Sequence, residues 1–496
     1  MSGVGDGRLD SWKEIAGYLK KGARTVQRWE REEGLPVHRL RHEQGSTVFA
    51  FRAEIDAWFA GRQAKQEREE GASVAVLPLT DMSQAKDQGY LCEGIAEEIL
   101  HALARVKGIQ AASRTSSFQF GAVKLDVREI GRRLGVSAVL EGSLRKAGDR
   151  IRIAVHLTDA GSGYQLWAEQ YELELGDIFV VQDQIARNVV EALEVTLTPE
   201  ESGALERRAT RDVKAYEDYL RGRKFYYLYN RRDVEFAVRL FSHAVELDPG
   251  YAPAHAGLAD CWSYLFLYAG KSAEALQQAG EASLRAVELD PDSAQAQASR
   301  GVALSLSGRD EDAERAFERA MALDAKLFEG YYFYARHAFA RGAPEKALRL
   351  YEQAIAVRKE DFQARLLMAQ IYDDLGRKEE GRACRERGIE VAKEHLALNP
   401  DDARALYMAA NGMAAMGRRD EARSNAERAL SLQPDEPMLL YNVGCIFSLL
   451  GETEAAIACL ERAVENGLTE KGWFEHDSNL DSVRAHPRFQ ALLARL

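Results

Sequence analysis

The sequence predicts a multidomain chain: a small helical head carrying a β-hairpin, an α/β middle domain, and a long all-α solenoid of repeated helix pairs. Three observations predict it. Small residues recur with a period of 34 over the second half of the chain. Between residues 73 and 197, short apolar runs alternate with amphipathic helical stretches. And residues 8–65 hold twelve Lys and Arg against eight Asp and Glu, a local +4 on a chain whose net charge is −12. The remainder therefore carries −16 and is a poor surface for nucleic acid, while the small front segment is not excluded from that role. At 496 residues the chain is too long for one core.

The head spans residues 8–62. Trp12, Ile15, Ala16 and Leu19 fall at i, i+3, i+4 and i+7 and form one apolar helical face. Ser11 is placed to cap this helix, with Glu14 as its capping-box partner. Lys20-Lys21-Gly22 interrupts the pattern. A second helix from Ala23 to about Glu33 buries Val26 and Trp29 and leaves Arg24, Thr25, Gln27, Arg28 and Arg31 outside. Gly34 ends it and Pro36 follows. VHRLRHEQGSTVFAF then alternates about Gln44-Gly45 as a hairpin, and Ile55, Trp58 and Phe59 share a face of a third helix.

Helix, turn, helix, hairpin, helix, carried by EIAGYL, RTVQRWE, LPVHRL and EIDAWF, resembles the winged helix-turn-helix of the excisionase and MerR-like group. The resemblance implies that the second helix enters the major groove of duplex DNA while the hairpin touches an adjacent groove or the backbone. Arg24, Thr25, Gln27, Arg28 and Arg31 are then the residues at bases or phosphates, since arginine reads guanine and glutamine reads adenine. On the hairpin, His38, Arg39, Arg41, His42 and Ser46 are expected at phosphate. The inter-helix turn departs from the relatives, which carry Gly, an apolar residue and Ser where this chain has Lys20, Lys21 and Gly22. Two half-sites one helical turn apart would suit a pair of heads, so a homodimer is the natural expectation.

After a charged stretch from Gly61 to Gly71 that reads as a linker or helix extension, the middle domain occupies residues 73–197. Its order reads βαβαβββα, with Gly148-Asp149 marking a hairpin between two long strands. VAVLPL, GIAEEI, ASRTSS, LGVSAVLEGSLRKAGDRIRI and LWAEQY resemble the TolB amino-terminal and FlgO-like domain. No catalytic residue is carried over from that resemblance. No phosphate-binding GxxxxGK[ST] occurs, and Gly135 and Gly142 do not make one. Ser113, Ser116 and Ser117 with Arg114 would suit an anion, but turn chemistry explains them equally well. Glu93, Glu97 and Glu98 lack a histidine at metal-ligand spacing.

The array spans residues 210–496. Ala237, Phe241, Ala244 and Pro249 sit at offsets 0, 4, 7 and 12, and the pattern recurs at Ala313, Phe317 and Ala320, at Ala347, Tyr351 and Ala354, at Ala422, Ala426 and Ala429, and at Ala456, Leu460 and Ala463. Ala313 to Ala347 and Ala422 to Ala456 are each 34 residues. Ala237 to Ala313 is 76 and Ala347 to Ala422 is 75, so two further repeats with short insertions fill those gaps, ending near Pro291 and Pro400, and about seven repeats result. This period and pattern resemble the tetratricopeptide (TPR) motif, in which small residues let antiparallel helices approach and a bulky one fills the space between repeats. Phe489, Leu492 and Leu493 suit a closing helix, which the open end of a solenoid needs.

These readings describe a DNA-binding transcriptional regulator whose TPR array takes a protein or peptide. The alternative is a non-catalytic scaffold whose head binds protein instead of DNA. No catalytic residue, metal or cofactor is assigned. The five cysteines form no CxxC pair, the first residues carry no apolar run, and no stretch reaches eighteen apolar residues, so the expectation is a cytoplasmic protein with reduced thiols and no membrane contact.

Overall fold

The computed structural model describes residues 8–19, 21–42, 45–52, 54–56, 58, 72–121, 125–205, 209–270, 272–469 and 471–496. They fall into two compact units, one ending at Ala72 and including Gly108–Gln110, the other comprising Ser73–Lys107 and Ala111–Leu496.

In the first unit, β1 is Arg8–Leu9, α1 Trp12–Tyr18, α2 Ala23–Glu33, β2 His38–His42 and β3 Gly45–Phe51. Ser11 Oγ accepts the Glu14 N–H, while the Glu14 carboxylate reaches back to the N–H of Asp10, one residue before the expected cap. Gly34, at φ 70°, ends α2 in the left-handed region. The apolar stripes meet as read: Ile15, Ala16, Val26, Trp29 and Ile55 are buried together, with Trp58 packed against them. Arg52, Glu54–Asp56 and Trp58 are helical, and Phe59 lies outside the described residues, as do residues 61–71. Two details differ from the sequence reading. Gly45, read as part of the turn, already lies in β3 and pairs with His42, and residues 43–44 lie outside the described residues. And β1 adds an antiparallel strand to β3, which two residues of extended chain gave no pattern to reveal.

An α/β layer comes next in the chain, in which β4 is Ala72–Val76, β5 Thr80–Asp81, β6 Ile109–Ala111, β7 Ala138–Ala147, β8 Arg150–Asp159 and β9 Gln165–Glu174. β4, β7, β8 and β9 lie side by side, parallel between β4 and β7 and antiparallel beyond, and β5 pairs with β7. The expected helices appear as Gly89–Ala104, Val127–Leu134 and Ile178–Ala192. A short helix Arg114–Phe118, capped by Ser113, has no counterpart in the sequence reading.

Seven helix hairpins follow among the described residues. They are Val213–Tyr226 with Arg231–Leu247, Ala252–Tyr268 with Ala273–Leu289, and Ala294–Leu306 with Asp310–Leu323. Then come Phe328–Ala340 with Pro344–Val357, and Gln363–Asp374 with Lys378–Leu398. Ala403–Ala415 with Arg419–Leu432 and Pro437–Leu449 with Thr453–Glu465 complete the array. Lys471–His476 and Pro487–Arg495 close the end, where Phe474, Leu480, Phe489 and Leu492 are buried.

The 34-residue pattern has a steric cause. Phe241 fills a slot opened by two glycines: a Cβ would lie 2.9 Å from its ring at Gly222 and 2.7 Å at Gly257 of the next hairpin. Phe317 stands likewise over Gly301, at 2.7 Å, and stacks on Tyr334 of the following hairpin at 5.3 Å. Helix A of each later hairpin ends at a glycine of φ near 70°, Gly308 and Gly342 among them, where a side chain would be strained.

The two irregular repeats also resolve. Ala279, Ser283 and Ala286 occupy offsets 0, 4 and 7, and Ala237 to Ala279 is 42 residues, eight beyond the period. Both helices of that hairpin are 17 residues long, against 13 and 14 in the next, so each has gained about one turn. Gly388, Ala392 and His395 hold the offsets in the fifth hairpin, 41 residues after Ala347. The seven extra residues lengthen the front of its 21-residue second helix by about two turns, which returns Gly388 to the same face.

The α/β layer is joined to the first hairpin through a buried ion cluster. Glu97, 3% exposed, receives Arg223 at 2.5 Å from the first TPR helix and Arg114 at 3.1 Å from the short helix. Gly94 on the Glu97 helix makes room for Leu220. Burial works against the Glu97 carboxylate, but Arg223 and Arg114 outweigh it and hold its pKa below the ordinary value.

Phe317→Ala is expected to destabilise the chain by about 3–5 kcal/mol in denaturant unfolding, and Arg315→Ala on the exposed surface by about 0.5 kcal/mol or less. Because the folded-state pKa of Glu97 is depressed, its contribution is in force above about pH 4.5 and fades as pH falls below that value. Glu97→Gln is therefore expected to lower stability near neutrality by about 3 kcal/mol, with the gap to the native chain narrowing in acid, followed by thermal unfolding across pH.

Candidate functional site

On α2, Val26 and Trp29 point into the core, and this leaves Arg24, Arg28 and Arg31 exposed with Thr25 and Gln27 half-buried beside them. The five helix residues expected at DNA thus share the outer side of α2. On the hairpin, His38 and Arg39 are exposed, and each meets a carboxylate: His38 with Glu54 at 2.6 Å and Arg39 with Glu30 at 2.6 Å. Arg41 and His42 lie on β2 and Ser46 on β3, but their side chains lie outside the described ones.

Of the residues weighed for anion binding in the α/β layer, Arg114, Ser113 and Ser116 have structural partners, while the buried Ser117 Oγ has no hydrogen-bond partner. Arg114 is occupied by Glu93 and Glu97 and sits over the rings of Phe118 and Tyr227. Ser113 caps its helix and meets Ser116 at 2.6 Å. No group of three His, Cys, Asp or Glu among the described residues is placed to hold a metal ion. No helix among them is long and apolar enough to cross a membrane.

A second candidate site emerges from the superhelix itself. The array curls until its end returns to its beginning: the Arg231 N–H donates to Glu436 at 3.3 Å, and the rings of Tyr268 and Trp473 stand 6.4 Å apart. The inner faces then line a hollow that is partly open to solvent. Tyr226, Tyr229, Tyr264, Tyr268 and Tyr332 supply aromatic wall, and Arg336, Arg358 and Arg404 supply cationic groups. Asp260, Glu329, Ser263 and Gln363 supply the other polar groups of the lining.

The cations differ in their partners. Arg358 is paired with Glu329 at 3.1 Å and lies 3.6 Å over the Phe328 ring. Arg404 lies 5.1 Å over Tyr229, and its buried Nε has no hydrogen-bond partner. Among the described residues neither Arg336 nor Arg404 has a carboxylate within ion-pair distance. Ser263, 3% exposed, also leaves its Oγ without a partner. Tyr229 holds φ at 48°, a left-handed backbone that bulky residues rarely adopt. Its carbonyl accepts the Tyr264 hydroxyl at 2.7 Å, which helps to hold it there.

The electrostatics follow from this lining. Desolvation pushes the Asp260 carboxyl up to about 7, and Glu329 adds to the effect. Burial opposes ionisation of Tyr268, yet Arg336 and Arg404 outweigh it and hold the phenol below its ordinary range. The sequence showed the tyrosines as a surplus, but the arginines come from two hairpins, Arg336 and Arg358 from the fourth and Arg404 from the sixth, and no spacing links them.

Models of the tetratricopeptide repeat match residues 262–327, 338–394 and 407–467, so the second half of the chain is a TPR solenoid. A protein of Rhizobium meliloti (strain 1021) named "Putative adenylate cyclase 3" is 38% identical over 246 residues, which are 49% of this chain and 42% of that protein. The chain thus spans less than half the length of that curated relative. Among solved structures, a thermophilic TPR protein of Thermus thermophilus is 23% identical with a TM-score of 0.31, covering 41% of this chain and 100% of its own. YrrB, described as a TPR protein with an unusual peptide-binding site, is 20% identical with a TM-score of 0.27, covering 38% of this chain and 93% of its own.

Because the raised pKa of Asp260 favours the folded state only while the group is protonated, that stabilisation is full in acid and lost as pH rises through about 7. Asp260→Asn is therefore expected to raise the melting temperature at pH 8 relative to the native chain, and to bring little gain at pH near 4, read by thermal unfolding at both values.

Proposed function

We propose that the chain is a transcriptional regulator that contacts duplex DNA through the outer side of α2 and receives a protein or peptide signal on its TPR solenoid. The observation that carries the reading is the disposition of α2. Its two apolar residues are spent in the core, and Arg24, Arg28 and Arg31 are left together at the surface with Thr25 and Gln27. The positive balance of residues 8–65 against an acidic remainder supports it, since it confines nucleic-acid affinity to one small region. The resemblance of residues 8–62 to a winged helix-turn-helix points the same way, and catalysis has no part in the reading.

A second reading, in which the head binds protein, is favoured by the carboxylate partners of His38 and Arg39. Those pairs take part of the hairpin's charge away from phosphate.

Fluorescence anisotropy of the full chain with a labelled mixed-sequence duplex separates the two. The regulator reading expects binding that weakens steeply as salt is raised. Arg24→Ala with Arg28→Ala should weaken it by about 1–3 kcal/mol per lost base contact, or flatten the salt slope by about one unit per lost phosphate contact. Absence of binding at low salt would set the protein-binding reading in its place.

A further inference from the structure

We infer that the hollow of the superhelix is a binding site for a small aromatic monocarboxylate, its carboxylate held by Arg336 and Arg404 and its ring by the tyrosine wall. This inference concerns the second unit alone and stands whether or not the head binds DNA.

Three independent features lead to it. The first is the pair of guanidiniums. A half-buried arginine without a carboxylate partner is an unfavourable arrangement, because the charge has lost water and gained no counter-charge. At two other buried arginines of this unit the protein supplies the counter-charge, Glu97 for Arg223 and Glu329 for Arg358. At Arg336 and Arg404 no carboxylate of the described residues comes within ion-pair distance, aromatic rings are the near neighbours, Asp361 and Asp402 act on Arg404 only from farther away, and the Arg404 Nε has no hydrogen-bond partner. The second is Ser263, whose buried hydroxyl lines the same hollow with no partner of its own. The third is the left-handed backbone of Tyr229, which turns a bulky ring into the wall beneath Arg404 where an ordinary loop would not.

Charge selects the class of anion. Three arginines face Glu329 and Asp260, so the wall carries one surplus positive charge with Asp260 ionised and two with it protonated. A single negative charge brings the wall to neutrality or leaves one cation over. A phosphate dianion would over-neutralise the ionised state and lie against two carboxylates. A carboxylate also matches the planar fork of guanidinium. The body of the ligand is set by the five tyrosines, whose faces and edges accept a ring in tilted contact.

The test uses the full chain and four probes: phenylacetate, acetate, benzyl alcohol and inorganic phosphate. Calorimetric titration and thermal unfolding should show phenylacetate binding and stabilising the protein, with acetate and benzyl alcohol each weaker by about tenfold or more. Arg336→Gln and Arg404→Gln should each weaken phenylacetate by about tenfold or more, while Arg315→Gln on the outer surface leaves it unchanged. A measurement on the native chain alone guards against misfolded variants. The near-ultraviolet alkaline titration of tyrosine should move to higher pH with phenylacetate present, because its carboxylate would take the counter-charge that now favours the Tyr268 phenolate. The inference is overturned by no binding at about 10 mM phenylacetate, by equal response to acetate or to phosphate, or by binding that leaves the tyrosine titration where it was.

Discussion

The large unit depends on a large side chain from one helix seating in a gap that glycine leaves on two others. Phe241 between Gly222 and Gly257, and Phe317 over Gly301, fix how near successive hairpins come and how far each is rotated from the last. A Cβ at those glycines would stand inside the contact distance of the ring, so the spacing has little freedom. Repeated along the array, this fixed step is what brings Glu436 back to Arg231 and Trp473 back to Tyr268. The irregular repeats respect the same constraint. Their insertions come in helical turns, and the face that carries the small residues is regained after each one.

Closure gives the inner surface its chemistry. Residues that would line an open trough in a shorter array instead face one another across a partly enclosed space, where charge is less screened by water. That is why Asp260 holds its proton to about neutrality while Tyr268, beside two guanidiniums, is drawn toward ionisation. Opposite responses to burial within one hollow reflect the sign of the neighbouring charge. The same physics, with the counter-charge built in, makes the Glu97, Arg114 and Arg223 cluster a structural joint between the α/β layer and the first hairpin.

Much of this was legible in the sequence because it is local or periodic. The stripes at Ala237, Ala313, Ala347, Ala422 and Ala456 located five hairpins, and the caps and apolar faces of α1 and α2 were readable residue by residue. The stripes at Ala279 and Gly388 escaped because the longer helices there displace them from the 34-residue period by eight and seven residues, and Ser283 and Ala392 give no bulky residue at offset 4 to mark them. Glycine at the end of helix A, at Gly308, Gly342, Gly376, Gly417 and Gly451, was an available signal that would have placed the fifth hairpin. The short strands β1 and β5 had no such signal, since two residues carry no period.

By itself, the sequence determined the long helices and strands, the stripes of five hairpins, and that the front of the chain is basic while the rest is acidic. These follow from propensity, side-chain periodicity and composition, all of which act over a few residues or over the whole sum. Only the tertiary structure decided which charges are answered. Arg336, Arg358 and Arg404 look alike in sequence, and just one of them meets a carboxylate. That difference arises from the curvature of the superhelix, which brings together side chains far apart in the chain and removes water from around them.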